Sequence, residues 1–204
     1  DPRHPSPMSL LEWISPETGP SLQGQGVVLR PPRRRDYPQW ETLRQGSRSF
    51  LQPWEPVWSP DELSPAAYAR RLSAWRNGRE SDQMYAFFVF RESDDALVGG
   101  ITLNNVRRGV AQMGTVGYWS GQPYARQGHT LAALRTLIGF AFGPLGLHRL
   151  EAACLPTNDA SAALLLKAGF TEEGYAKAYL KINGDWRDHR LFGLVSREGA
   201  YSRP

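Results

Sequence analysis

The sequence predicts an α/β (α+β) domain, with a mixed, mainly antiparallel twisted sheet and helices on both faces. Three observations lead there. Residues 84–120 read as three apolar strands parted by the polar turns Ser93-Asp94-Asp95 and Arg108-Gly109, an antiparallel meander. "AKAYLKI" and "DWRDHRLFGL" flank Asn183-Gly184, the strongest two-residue hairpin signal. Apolar residues elsewhere recur at helical spacing.

In chain order, residues 1–25 hold Pro, Ser and Gly without a sustained period and read as a flexible arm, with Met8 a candidate natural start and 1–7 a remnant or extension. Residues 26–196 form a single domain and 197–204 a tail. "GVVLRPP" is a short strand closed by two prolines. Asp36 can cap a helix over 37–45, with Pro38 tolerated in its first turn. Four prolines between 49 and 65 break any regular element. Ser64-Pro65 opens a second helix, with Tyr68, Leu72 and Trp75 on one side, reaching about Gly78.

"MYAFFVF" is apolar on both faces and reads as a central strand. The meander ends at "AQMGTVGYWS". A helix over 128–142 carries the stripe Leu131, Leu134, Ile138 and Ala141, and Gly143-Pro144 stops it. "LHRLEAACL" is another strand. "NDASAALLLKAGF" is a short helix closed by Gly169, and the hairpin completes the order.

Composition narrows the function. The chain has 204 residues, 41% hydrophobic and 22% charged, which suits one soluble domain. No apolar run has the length of a membrane span, and no secretory signal is visible. A lone cysteine, Cys154, excludes an internal disulfide and a multi-cysteine metal site, and fits a cytoplasmic location. The histidines lack metal-ligand spacing, so no metal is expected. Net charge is +4, and Lys167, Lys177 and Lys181 are the only lysines. Arginine suits phosphates and carboxylates, although a coding bias gives the same count. The charge is too small and scattered to demand nucleic acid, and no direct nucleic-acid binding is expected.

The stretch "GQPYARQGHTLAAL" poses the functional question. It places Arg126, Gln127, Gly128, His129 and Thr130 at the mouth of an apolar helix, directly after a strand. A helix start exposes N–H groups, and glycine lets an anion approach the backbone. Arg126 can add a charge-assisted bond. The bland alternative is an uncapped helix with a chance glycine. This is neither a Walker A loop nor a Rossmann fingerprint.

Asn158 is either an N-cap or an amide directed at a ligand between two helices. Ser161 lies one helical turn later on the same side. Glu151 sits on a strand that otherwise reads apolar. Buried, it would have a raised pKa and act as a base; exposed, it would be a salt-bridged strand carboxylate. Phe50, Trp54 and Trp58 lie on the Pro-rich loop and either line a groove or pack over the core edge. His129 reads as a surface contact in the glycine loop, and Cys154 as a small buried apolar residue.

Together, "GYWSGQPYARQGHTLAAL", "LHRLEAACLPTNDASAALLLKAGF" and "EEGYAKAYLKINGDWRDHRLF" resemble the GNAT superfamily of N-acetyltransferases. The nearest branch is the ribosomal-protein-alanine N-acetyltransferases (RimJ/RimL-like), whose acceptor loop "FLQPWEP" matches too. The resemblance covers residues 26–195 and implies acetyl-CoA as co-substrate. It implies a pyrophosphate on the N–H groups of Arg126 to Thr130, and pantetheine along Gly117, Tyr118 and Trp119. That arm would lie in a splay between this strand and the "LHRLEAACL" strand. Asn158 would bond the cofactor, and Ser161 would sit near the thioester sulfur. Phe50, Trp54, Trp58 and Tyr179 would line the acceptor groove.

Two residues depart from the superfamily pattern. Ala125 stands where Gln or Arg is usual, three residues before the central glycine. Leu165 stands where many members carry a tyrosine acid. An α-amine acceptor eases the demand for a base. Near pH 7.4 roughly a quarter of α-amines are neutral, against on the order of one lysine in a thousand. The implied acceptor is a protein N-terminus, with ribosomal proteins as candidates and Glu151, through water, as candidate base. A small-amine acetyltransferase (antibiotic or polyamine) and a non-catalytic acetyl-CoA-binding module are the rival readings. Monomer and homodimer are both open.

Overall fold

The structure is a computed structural model that describes residues 19–197. The elements are β1 (Leu22–Gln23), β2 (Val27–Arg30), α1 (Tyr37–Gly46), α2 (Arg48–Leu51), α3 (Pro65–Glu80), β3 (Tyr85–Arg91), β4 (Ala96–Arg107), β5 (Met113–Ser120), α4 (His129–Phe142), β6 (Arg149–Cys154), α5 (Asp159–Lys167), β7 (Thr171–Ile182) and β8 (Asp185–Val195). The strands form one sheet in the order β1-β2-β3-β4-β5-β6-β8-β7. Every neighbouring pair is antiparallel except β5 and β6.

Both faces of the sheet are covered. One carries α4 and α5 over a large core that includes Leu29, Phe87, Ile101, Leu103, Leu134, Leu137, Leu150 and Leu165. The other carries α1 and α3 over Trp40, Tyr68, Phe88, Phe90 and Leu97. This explains the unbroken apolar run of β3, buried from Tyr85 to Phe90. A strand covered on both faces has no polar side to show. The last turn of the hairpin is as expected, with both Asn183 and Gly184 left-handed.

Four details differ from the sequence reading. Leu22–Gln23, assigned to the arm, pairs with β2 through Leu22↔Leu29 and Gln23↔Val28. Residues 1–18 and 198–204 lie outside the described residues. Asp36 does not cap α1 with its side chain. It is buried and accepts from both terminal guanidinium nitrogens of Arg30, at 2.8 and 2.7 Å, and from the Arg33 N–H at 2.7 Å. A buried carboxylate gains more from a bidentate cation than from an exposed helix start. The prolines after residue 48 do not abolish regular structure, because α2 ends before Pro53 and a 3₁₀ turn, Gln52–Trp54, takes that proline in its second position, where its missing N–H is not needed. On α4 the buried residues are Ala133, Leu134, Leu137, Phe140 and Ala141, so Leu131 and Ile138 lie at the margin of the face.

The parallel pair sets up the site. β5 and β6 are joined only at Met113↔Arg149, Gly114↔Leu150 and Thr115↔Glu151. Beyond Thr115, β5 stays paired with β4 as far as Ser120↔Gly99. Beyond Glu151, β6 stays paired with β8 as far as Cys154↔Arg190. The two central strands therefore diverge, and a gap opens inside the sheet.

Candidate active site

The loop that follows β5 stands at the mouth of this gap. A 3₁₀ turn, Gln122–Tyr124, starts it, and the Gln122 N–H donates to the buried Ser47 hydroxyl at 2.9 Å. This bond anchors the loop to the end of α1. Gly128 is the N-cap of α4, left-handed at φ 84°, with no side-chain cap. Arg126 is also left-handed, at φ 59°. The N–H groups of Gln127, Gly128, His129 and Thr130 donate no hydrogen bond among the described residues. Nothing approaches within 4 Å of a Cβ built on Gly128, so the space above it is open. The loop thus offers unspent donors at a positive helix end.

The side chains there behave differently from one another. Arg126 is exposed. Gln127 donates back to the Pro123 carbonyl at 2.9 Å. The His129 ring lies inward, beside Gly99, Gly100, Trp119 and Thr130, and its buried Nε2 has no hydrogen-bond partner. Its surface reading is corrected here. Burial, then the nearby Arg91, holds its pKa below the ordinary value.

Opposite the loop, Asn158 caps α5 by accepting the Ser161 N–H at 3.1 Å. The capping role is the one its oxygen performs. Ser161 Oγ lies 2.7 Å from the Tyr118 hydroxyl. Tyr118 is on β5 and Ser161 on α5, so their hydrogen bond spans the divergence that backbone bonds do not. Burial pushes the Tyr118 phenol up to about 12. Cys154, at the end of β6, is buried against Ser161, and its thiol is pushed up by burial. Leu165 is fully buried in the core, one turn beyond Ser161, and cannot reach the gap.

For Glu151 the structure decides between the two sequence readings. On β6 it is Leu150, Ala152 and Cys154 that join the α4/α5 core, so Glu151 faces the opposite side. Its side chain is 40% exposed and paired with Arg149 at 3.0 Å. Arg149 also pairs with Glu173. Of the two readings it is the salt-bridged carboxylate that the structure shows, because strand alternation sent the even positions inward. Glu151 nevertheless sits at the apex of the gap, opposite Thr115.

The Pro-rich loop is divided in the same way. Phe50 and Trp54 are exposed. Trp58 is buried; its indole N–H donates to Glu55 at 2.8 Å, and the Arg44 guanidinium stacks 4.5 Å from its ring. Trp58 therefore takes the packing role and not the groove-lining one. Arg44 also stacks 4.9 Å from Trp119. Trp119 needs Gly100, where a Cβ would meet its Nε1 at 2.4 Å. The hairpin tip leans on the same loop, for the Asn183 N–H donates to the Glu55 carbonyl at 2.8 Å. Tyr179 is exposed nearby on β7 and packs edge-on against His189. Arg44, Ser47, Glu55 and Gly100 escaped the sequence reading. Glu55 stood inside "FLQPWEP", but a buried partner on α1 has no local signature.

No group of three or more potential metal ligands occurs among the described residues, and no described helix is long and apolar enough to cross a membrane. What the arrangement can do is hold a long anionic ligand, phosphate end on the loop and thin end in the gap.

The comparisons agree with that geometry. The chain matches the acetyltransferase (GNAT) domain over residues 27–171, and it belongs to that family of N-acetyltransferases. Over 150 residues it is 34% identical to the ribosomal protein uS5-alanine N-acetyltransferase of Escherichia coli, covering 74% of this chain and 77% of that protein. It is 31% identical over 175 residues to the probable N-acetyltransferase YjcK of Bacillus subtilis, covering 86% and 97%. Among solved structures, Mycobacterium smegmatis RimJ in complex with CoA-disulfide superposes with a TM-score of 0.81 at 33% identity, over 88% of this chain and 87% of that one. The Vibrio fischeri ribosomal-protein-S5-alanine acetyltransferase gives a TM-score of 0.81 at 29% identity, over 87% and 97%.

Proposed function

We propose that this protein transfers the acetyl group of acetyl-CoA to the α-amine of a protein N-terminus, with a ribosomal protein as acceptor, in the cytoplasm. The observation that carries the reading is the pair of features at one end of β5: free amides at 127–130 and a sheet that parts after Thr115↔Glu151. The relatives named as ribosomal-protein-alanine acetyltransferases, and a neighbour holding CoA-disulfide, support the donor and the acceptor class.

In this reading the pyrophosphate lies on the amides of Gln127 to Thr130, with Arg126 beside it. The pantetheine arm follows Gly117, Tyr118 and Trp119 into the gap, and Asn158 meets it from the α5 side. Backbone N–H groups of β5 left without a β6 partner polarise the thioester carbonyl. The acceptor enters past Phe50, Trp54 and Tyr179. Glu151 and Ser161 lie on opposite faces of the gap, so amine and leaving sulfur are served from opposite sides. A neutral amine attacks the carbonyl carbon, the C–N bond forms, the C–S bond breaks, and CoA departs as thiol. Glu151, through water, takes the proton that the amine loses. Holding amine and thioester in contact supplies most of the rate.

Intact-mass analysis of ribosomal proteins, before and after incubation with protein and acetyl-CoA, tests the reading. One protein gaining a single acetyl group at its N-terminus supports it. No gain on any of them, with acetylation of free small amines instead, overturns the acceptor.

A further inference from the structure

We propose that Tyr118 is a positioning residue for the leaving sulfur: it holds the Ser161 hydroxyl so that the serine proton points into the strand gap. The inference rests on the acetyl-transfer reading above and adds a residue to it. It begins with what the chain lacks. Leu165 is sealed in the core, so α5 carries no phenol into the gap. A phenol arrives instead from the other wall, β5, and meets α5 at Ser161 at 2.7 Å.

The direction of that hydrogen bond follows from chemistry. A phenol is the stronger acid of the two hydroxyls, so Tyr118 donates and Ser161 accepts. The Ser161 N–H is already committed to Asn158, which fixes the serine backbone in the first turn of α5. With its backbone held and its oxygen accepting from Tyr118, the serine turns its proton away from Tyr118, toward the side where the Cys154 sulfur also lies within reach. Cys154 stands beside it as a neutral thiol, since burial raises its pKa, so no charge competes for that proton. As the C–S bond breaks, the serine O–H donates to the sulfur that takes the electron pair. The proton that completes CoA thiol comes back from solvent, matching the one the amine gave up. Tyr118 itself loses no proton. Burial keeps its phenol neutral across the working pH range.

The test is turnover with whichever amine the protein acetylates, followed by CoA thiol release. Tyr118→Phe removes one oxygen and leaves the ring packing in place. It should lower kcat on the order of ten-fold, within the range of a single hydrogen-bonding group in proton-transfer chemistry. KM for acetyl-CoA should stay within about two-fold. On a Ser161→Ala background the same change should cost nothing further, since the path runs through the serine. 2,3-Difluorotyrosine at 118 keeps the shape and lowers the phenol pKa; it should add a loss of rate on the alkaline side that the natural side chain lacks. This variant also serves if Tyr118→Phe does not fold. An undiminished kcat in Tyr118→Phe, a full additional loss on Ser161→Ala, or an unchanged alkaline limb with difluorotyrosine would each overturn the proposal. Failure of the wild-type protein to release CoA with any amine would instead overturn the acetyl-transfer reading, and this inference with it.

Discussion

Arg44 and Glu55 meet face to face, guanidinium nitrogens to both carboxylate oxygens at 2.8 and 2.7 Å, with Trp58 and Trp119 stacked around the cation. The pair joins α1, the Pro-rich loop and β5 at one point. The hairpin tip hangs from the same residue by the Asn183 bond. Removing the carboxylate leaves a buried cation without its counter-charge. Glu55→Ala should therefore cost about 3 kcal/mol in a denaturant melt. Because the loop loses its side-chain ties to Arg44 and Trp58 while the backbone bond to the hairpin tip stays, KM for the acceptor should rise more than KM for acetyl-CoA. Equal changes in the two would show that the loop does not wall the acceptor.

Gly128 tests the phosphate loop. Its φ of 84° suits glycine, and the space above it is open. A Cβ there meets nothing within 4 Å, but valine carries a backbone strain of about 1–2 kcal/mol and stands where the diphosphate would rest. Gly128→Val should weaken acetyl-CoA at least ten-fold by calorimetry while the unfolding temperature falls only slightly. Unchanged affinity would move the nucleotide elsewhere.

Cys154 can report where the sulfur goes. If the pantetheine end reaches Ser161, it also reaches this thiol. Incubation with CoA disulfide should give protein carrying one CoA by mass spectrometry, as the Cys154 thiolate displaces one CoA thiol. Burial raises the Cys154 pKa, so labelling should be slow near neutrality and quicken as pH rises past the ordinary thiol value. Cys154→Ser should take no label. A wild-type chain that stays unlabelled at alkaline pH would place the sulfur away from β6.

His129 gives a pH signature for folding. Its folded pKa lies below the unfolded value of about 6.5. In that window the unfolded chain binds the proton and the folded chain does not, so stability falls as pH drops below about 6.5 and levels off once the folded pKa is passed. His129→Gln should flatten this part of the stability profile. An unchanged slope would assign it to other groups.

The elements were legible because their signals are local. Asn183-Gly184, the apolar run of β3 and the Ser64-Pro65 helix start each lie within a few residues. Gly128 was legible for the same reason, since a glycine at a helix mouth after a strand is itself the signal. What escaped was whatever depends on which face a side chain takes or on a partner far along the chain. Glu151 looked enclosed by apolar neighbours in sequence, yet in a strand those neighbours point the other way. Asp36 looked like a cap until Arg30 reached it. Tyr118 and Ser161 were both noticed, for separate roles, and their contact across 43 positions left no trace in either segment.

The three-rung seam between β5 and β6 makes the sheet two wings on a short hinge. Each wing is paired within itself, so a molecule wedged between the two strains few hydrogen bonds. The far ends of the wings are clasped by Tyr118 with Ser161 and by Asn183 with Glu55. Any widening at the seam is therefore felt at the Pro-rich loop that carries Glu55.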